Sequence, residues 1–535
     1  MLTARRRLTS IRSIGEIKTK NYRKGGLMRG WIKSSFCIVA TTSLTLSLTA
    51  QAKHHSLGYQ RVLPYFEVKP NLRNGSFRVE DEDGQPVGGA QVLIGAAQDI
   101  PFNGNFLNAD ALGRVAIPNQ WTTAQSVTLD APGYVRTTYS SVLPINLLSL
   151  TMSRTRLSTP VAIGGTATQF GTLPNDGNMY VALVTSGLTR ADIFDFDPSA
   201  LVSPVHDQIN LWGKNVKVPS NLAIPNQHHA YQGLIPLTFD KPDYRFLLFQ
   251  NGKRHMIATR ARFPFDKVVA ELKNKKKLYD LFGYFEFLGA GTRDVVVNNQ
   301  DINQNVPVDE IEFKSRVSLA RPPSVASDAL VFAVTLPQVS APQRVETYMP
   351  SDLKRLDPQG PTAMTVPNQN GSGLAMAILK PKDPTLIANA NFSVSDALKN
   401  FEASIALKPF SDNRDFEFLP LFAPPQVKGS QVTVRPPVLT SKQIAPLATY
   451  MSLTELKQFQ DHNSTFMVQN KRWQFFASDW QAGQEIPQWP GEPPRTGTFR
   501  WEVYYLGCDA NIVAPSIGPQ MFYQATHVVR NAVQL

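Results

Sequence analysis

Short apolar runs bounded by Pro, Gly, Asn or Asp recur from end to end of this chain, while long helical patterns are scarce. That rhythm predicts strands and turns, the signature of β-sandwich or barrel domains. Tyr180–Val184, Tyr244–Phe249, Ala329–Val334, Gly373–Ile378, Ala403–Leu407 and Phe499–Leu506 are the clearest runs. The last alternates with period two: Phe499, Trp501, Val503 and Tyr505 face one way, Arg500, Glu502 and Tyr504 the other. Two segments read as helices instead. Asp266 is an N-cap for a helix to about Phe282, with Val268, Val269, Leu272, Leu278, Leu281 and Phe282 on its apolar face. Ser452-Leu-Thr-Glu455 has the spacing of a capping box, and Leu453, Leu456 and Phe459 follow at helical intervals.

Proline (40) outnumbers glycine (33), and the Pro-rich stretches suggest boundaries. Residues 53–70 read as an N-terminal arm, 71–158 as one module, and 159–320 as a β-rich domain holding the helix near 266–282. Residues 321–425 form a third β-rich region, and 426–535 an aromatic-rich C-terminal β region beyond Pro424-Pro425. No strict internal repeat is present, which disfavours a propeller or solenoid.

Within residues 71–158, Phe77 and Val79 alternate as a strand, Asp83-Gly84 makes a turn, and Pro86 restarts an extended chain. Ala90, Val92 and Ile94 share one face of the next strand. Asp110-Ala-Leu-Gly113 turns into Val115 and Ile117-Pro118, and Ala131-Pro-Gly-Tyr134 follows. This stretch resembles the carboxypeptidase regulatory-like domain, a small transthyretin-like β-sandwich with a D-x-x-G-x-P turn, G-A-x-V-x-I, D-x-x-G, an aliphatic-x-I-P strand and A-x-G-Y. The resemblance covers about a sixth of the chain and implies a non-catalytic accessory or adhesive module of exported proteins; it does not name a function. The expected fold class is therefore mainly β: tandem β-sandwich domains, the first transthyretin-like, with one or two short helices later.

Ahead of this lies an export signal. Arg29 and Lys33 form a basic head, Phe36–Ala50 an apolar stretch diluted by Ser and Thr, and Ala50-Gln-Ala52 an A-x-A cleavage site. Residues 28–52 thus read as a signal peptide cleaved after Ala52, and the stretch is short for a membrane span. Residues 1–27 carry eight basic residues against Glu16 alone; they read as an upstream extension, with the native start at Met28. The formal net charge of +12 owes +7 to residues 1–27 and +2 to residues 28–52, so the mature chain carries +3. That near-neutral balance argues against nucleic acid as a partner. Cys37 leaves with the leader, and the remaining Cys508 has no partner for an intramolecular disulfide.

Catalytic motifs are missing. H-E-x-x-H, the His-x-x-Glu pair of zinc carboxypeptidases, G-x-S-x-G, a phosphate-binding Gly-rich loop and C-x-x-C are all absent. His228-His229 is the one paired histidine of the folded part, and neighbours on a strand face opposite ways. Asp192, Asp195 and Asp197 form an acidic stretch, Asn298–Asn305 a polar loop, and Lys273, Lys275, Lys276 and Lys277 a basic helix face. Two sets remain as candidate sites. The turn carboxylates Asp81, Asp83 and Asp110 offer oxygen ligands of the kind Ca²⁺ takes; no other cofactor is implied. Trp480, Trp489 and Tyr504, within an aromatic-rich end, offer a platform for sugar rings.

The expectation is an exported, non-catalytic cell-envelope or surface protein, periplasmic, surface-bound or secreted. Its role would be binding or scaffolding with a glycan, lipid or protein, and the mature chain would lack a transmembrane helix. The alternatives are an exported hydrolase of polysaccharide or peptide, whose acids meet only in space, and an outer-membrane-associated protein.

Overall fold

The computed structural model describes residues 75–95, 106–146, 148–195, 203–211, 214–231, 234–274, 281–327, 329–339, 346–367, 372–381, 401–461, 464–487, 489, 496–509 and 518–535. The expected upstream extension and signal peptide (residues 1–52), the expected arm at 53–70, Asp197 and Lys275–Lys277 lie outside them. The described chain is mostly strand, as the pattern of short runs predicts.

The first module is a two-sheet sandwich. One sheet holds β1 (Ser76–Asp81), β4 (Arg114–Ala116) and β7 (Ser149–Met152), with β1 central. The other runs β3 (Leu107–Asn108), β2 (Gln91–Ile94), β5 (Gln125–Asp130), β6 (Arg136–Val142). Alternation in β1 sends Phe77 and Val79 inward to meet Val92, Val115, Trp121, Val127 and Leu150. Gly113 is obligatory at its turn: its φ is +71°, and a Cβ there would lie 2.3 Å from the Val79 carbonyl oxygen.

A second sandwich follows. Its larger sheet runs Ile235–Lys241, Leu222–Tyr231, Asn178–Ser186, Gly252–Pro264, Glu286–Val297, Ile311–Glu312; its smaller one is built on Asp243–Leu248, Val161–Thr168 and Ile302–Asn303. Ile163, Val184, Tyr244, Met256, Ala258 and Val306 fill the space between. The polar loop Asn298–Asn305 buttresses the smaller sheet: Asp301 and Asn305 accept from the amides of Ala162 and Thr166. The expected helix is present as Phe265–Lys273, with Phe265, Val268, Val269 and Leu281 in one apolar cluster. A short 3₁₀ turn, Phe282–Tyr284, stands where the expected helix was to end.

Most of the remaining described strands join the second sheet of the first module in a single 13-stranded sheet. Strands Leu330–Val339, Gly373–Lys380, Ala403–Pro409, His527–Gln534, Thr498–Asp509, Ile444–Asp461 and Ser464–Ala477 lie side by side in that order, followed by β6, β5, β2 and β3. Residues 321–425 and 426–535 are therefore not separate units, because His527–Gln534 pairs with Ala403–Pro409. Ser464–Ala477 pairs in parallel with β6, placing Trp473–Phe476 beside Arg136–Tyr139.

The helix expected from Ser452 does not form. Residues Ile444–Asp461 are one 18-residue strand. Its neighbours on both sides supply long ladders, each with one register shift, and the two capping-box side chains bond to adjacent strands instead. The Ser452 hydroxyl donates to Glu502 Oε2 at 2.6 Å, and Glu455 accepts from Arg472 Nε at 2.6 Å. Residues 447–456 of this strand are buried on both faces, polar Thr449, Ser452, Thr454 and Glu455 included, so no alternation of apolar and polar positions marks it as a strand.

Candidate functional site

The hairpin Ile444–Asp461/Ser464–Ala477 touches every unit. Its far end grips the second sandwich: Arg245 pairs with Asp461, the His206 amide donates to Ser464 Oγ at 3.0 Å, and Phe249 meets Phe459 edge-on. Its outer edge is the parallel pairing with β6. Between these ends lies a buried ionic junction of Asp195, Lys471, Arg500, Glu502 and Arg530.

The short helix Arg190–Asp195 delivers one side of it. Thr189 and Asp192 cap each other: the Thr189 amide and hydroxyl donate to Asp192 Oδ2 at 2.9 and 2.8 Å, and the Asp192 amide donates back to Thr189 Oγ1 at 3.2 Å. Ile193 and Phe194 anchor the helix in the shared core, leaving Asp195 aimed at the sheet. Lys471 Nζ contacts Asp195 Oδ2, and the Tyr504 hydroxyl donates to Asp195 Oδ1 at 2.6 Å. Arg530 donates to the Asp195 carbonyl at 2.7 Å.

Across the sheet, Arg500 Nε donates to Glu502 Oε1 at 2.8 Å, and both side chains are 1% exposed. Arg500 also donates to Gln469 Oε1 at 2.8 Å. The guanidinium groups of Arg500 and Arg530 stand 4.5 and 4.4 Å from the centre of the Phe401 ring. Glu502 Oε2 lies 3.3 Å from the Tyr504 hydroxyl, so one phenol links the two carboxylates.

Burial alone lowers a lysine pKa, but at Lys471 the charge of Asp195, with Tyr450 and Glu502, prevails and holds the ammonium above its ordinary range. Burial, then the carboxylates of Asp195 and Glu502, pushes the Tyr504 phenol well up. A cavity of about 30 Å³, room for a water or two, opens between the units, lined by Glu82, Ser153, Asp195, Lys471 and Tyr450 among others. Burial raises Glu82 to about 7, against the opposing pull of Ser153 and Arg254. Lys471 is paired with Asp195 and Arg500 with Glu502, while Arg530 is held by the Asp195 carbonyl and the Phe401 ring, an arrangement that locks units together.

The aromatic platform expected from sequence is not displayed. Tyr504 is fully buried in the junction. Trp489 is 9% exposed, packed on Phe106 with the Arg136 guanidinium 4.6 Å above its ring. Trp480 is partly buried, packs on Tyr505 and donates its indole N–H to the Leu506 carbonyl at 2.7 Å. The physical reason is that both faces of Thr498–Asp509 are covered: a small sheet of Gln426–Lys428, Gln431–Thr433 and Gly483–Glu485 caps the tryptophan face.

The calcium candidates are turn residues. Asp81 Oδ1 accepts from the amides of Asp83 and Gln85 at 2.8 and 2.9 Å, and its other oxygen takes Arg154. Arg154 also pairs with Asp83 at 3.3 Å. Asp110 Oδ1 accepts from the amides of Leu112 and Arg114 at 2.9 and 2.8 Å. A guanidinium sits where a cation would, and among the described residues no cluster of three or more His, Cys, Asp and Glu has the geometry to hold a metal.

His228 and His229 take different partners, Thr238 and Gln227, as neighbours on a strand do. Cys508 is buried, and burial raises its thiol. Lys471, Arg500, Glu502 and Arg530 were not singled out as site residues by their sequence. The signal in the sequence was Arg500, Glu502 and Tyr504 sharing one face of a strand whose other face carries Phe499, Trp501, Val503 and Tyr505.

No family model matches the sequence, and neither does any curated protein. Two solved structures show faint likeness. The Bacillus anthracis TIE protein is 10% identical with a TM-score of 0.15, over 56% of this chain and 44% of that one. The Streptococcal ancillary pilin is 7% identical with a TM-score of 0.14, over 57% of this chain and 89% of that one. This chain thus spans less than half the length of the first, and neither likeness carries an argument. Among the described residues no helix is long and apolar enough to cross a membrane.

Proposed function

We propose that this chain is an exported, non-catalytic scaffold of the cell envelope or surface. Its leader is removed after Ala52, and its first module is of the carboxypeptidase regulatory-like type. One observation carries the reading: the hairpin Ile444–Asp461/Ser464–Ala477 fastens all the β units to one another, and the charged groups it brings inward are spent on one another. An enzyme of this size keeps a polarised cleft with groups of shifted pKa facing solvent. The shifted groups of this junction, Lys471 and Glu82 among them, line a cavity with room only for water. Mechanical continuity between sandwiches is the property such a design serves, and a partner would engage the outer loops and sheet edges.

The test combines fractionation with calorimetry. The full chain, made in a bacterial host with a C-terminal tag, should appear outside the cytoplasm with Lys53 as its first residue. It should stay soluble or be released by high salt, and it should unfold in a single calorimetric transition. Retention of residues 28–52 in the cytoplasm would refute export, and separate melting of the units would refute the rigid scaffold. Release by detergent alone would favour the outer-membrane alternative.

A further inference from the structure

Asp195 and Lys471 come from different β units, 276 residues apart, and meet with side chains only 11% and 8% exposed. Holding a full carboxylate and a full ammonium away from water is unfavourable even when they are paired, and a neutral bond between them removes both charges at once. The reacting atoms are already in contact, each held by packed secondary structure, so their encounter needs no further ordering. The Tyr504 hydroxyl donates to the second oxygen of the same carboxyl at 2.6 Å, where negative charge grows when that carbon is attacked.

We propose that Lys471 and Asp195 condense to an intramolecular amide that ties the second sandwich covalently to the large sheet. Lys471 first passes a proton to the contacting Asp195 Oδ2, leaving a neutral amine and a neutral acid. The Nζ lone pair then forms the bond to Asp195 Cγ while the charge on Oδ1 rests on the Tyr504 hydroxyl. The C–Oδ2 bond breaks, and the departing hydroxyl takes a second proton from Nζ. One ammonium and one carboxylate become one amide and one water; nothing is oxidised or reduced. The adjoining cavity of about 30 Å³ receives that water, and the Glu82 carboxyl lining it is placed to relay protons. Apolar rings of Tyr450, Phe476 and Phe522 complete the lining and keep bulk water from reversing the reaction.

Mass spectrometry of the purified full chain decides the matter. The expected result is a mass about 18 Da below that of the sequence of the isolated form, with one branched tryptic product joining the Lys471 and Asp195 peptides. Lys471→Arg keeps the cation and the ion pair but cannot condense, so it should show the full mass and a lower melting temperature. Asp195→Asn should still condense, now losing ammonia, about 17 Da. A full-mass native chain whose Lys471 is labelled by an amine reagent after denaturation overturns the proposal. So does an 18 Da loss confined to a linear peptide.

Discussion

Exchanging Glu502 for Gln tests whether the junction is held by charge pairing rather than by shape. The substitution keeps side-chain volume and a carbonyl oxygen for Ser452 and Tyr504, but leaves the Arg500 guanidinium buried without its counter-ion. Removing one partner of a buried pair typically destabilises by about 3–5 kcal/mol. Arg500 retains the Gln469 acceptor and the Phe401 ring, a cation–π contact of about 1–2 kcal/mol. The loss therefore falls near the lower end, about 3 kcal/mol. Arg500→Met should cost a similar amount by stranding the carboxylate. The double variant leaves no unpaired charge and should lose only about 1 kcal/mol, a coupling well beyond the additivity error of about 0.5 kcal/mol. Urea unfolding followed by tryptophan fluorescence reads this directly, because Trp473 and Trp501 are buried on the facing side of the same strands. A single-variant loss below about 1 kcal/mol, or a double variant as unstable as the singles combined, would refute the reasoning.

Further outcomes follow from other sites. Glu82 sits at about 7 in the fold against 4.5 for an open chain, so the folded state binds the extra proton between those values. Stability from this group is complete below about 4.5 and declines as pH rises through 7, by at most on the order of 3 kcal/mol; Glu82→Gln should flatten that slope in a pH series of melting curves. Gly113→Ala forces a side chain into positive φ and against the Val79 carbonyl, and should destabilise the first module by on the order of 2 kcal/mol, seen as faster limited proteolysis near residue 113. Millimolar Ca²⁺ should leave the melting temperature unchanged, since backbone amides take Oδ1 of Asp81 and of Asp110 and Arg154 takes Asp81 Oδ2; a calcium-dependent rise lost in Asp110→Asn would reverse that assignment. Arg245→Ala should cost about 1 kcal/mol, because its pair with Asp461 is partly exposed, and should loosen the hairpin tip in hydrogen exchange.

The first module was legible in detail because each of its devices is local. Asp83-Gly84 and Asp110–Gly113 are turns that act within four residues, and β1 buries only one face, so its alternation shows. Fold class was legible for the same reason. The hairpin was not. Ser452 and Glu455 carry a local helix signal, but partners on two flanking strands outweighed it, and neither partner is near in sequence. The aromatics near the C-terminus were misjudged likewise. Trp480 and Trp489 sit in loops beside Gln and Pro, and what covers them comes from residues 422–434 and from the first module. The acidic stretch held Asp195, yet its cation lies 276 residues away. Local pattern reports periodicity and turns; it is silent on which distant side chain completes a pair.

The last strand of the chain, His527–Gln534, lies inside the large sheet, between Ala403–Pro409 and Thr498–Asp509. Until those eight residues are made, the sheet stays in two parts and β6 awaits a neighbour that begins at residue 464. Contacts spanning such separations close late and slowly. Deleting His527–Gln534 would part the sheet between Ala403–Pro409 and Thr498–Asp509, leaving two separate edges where one interior strand had stood.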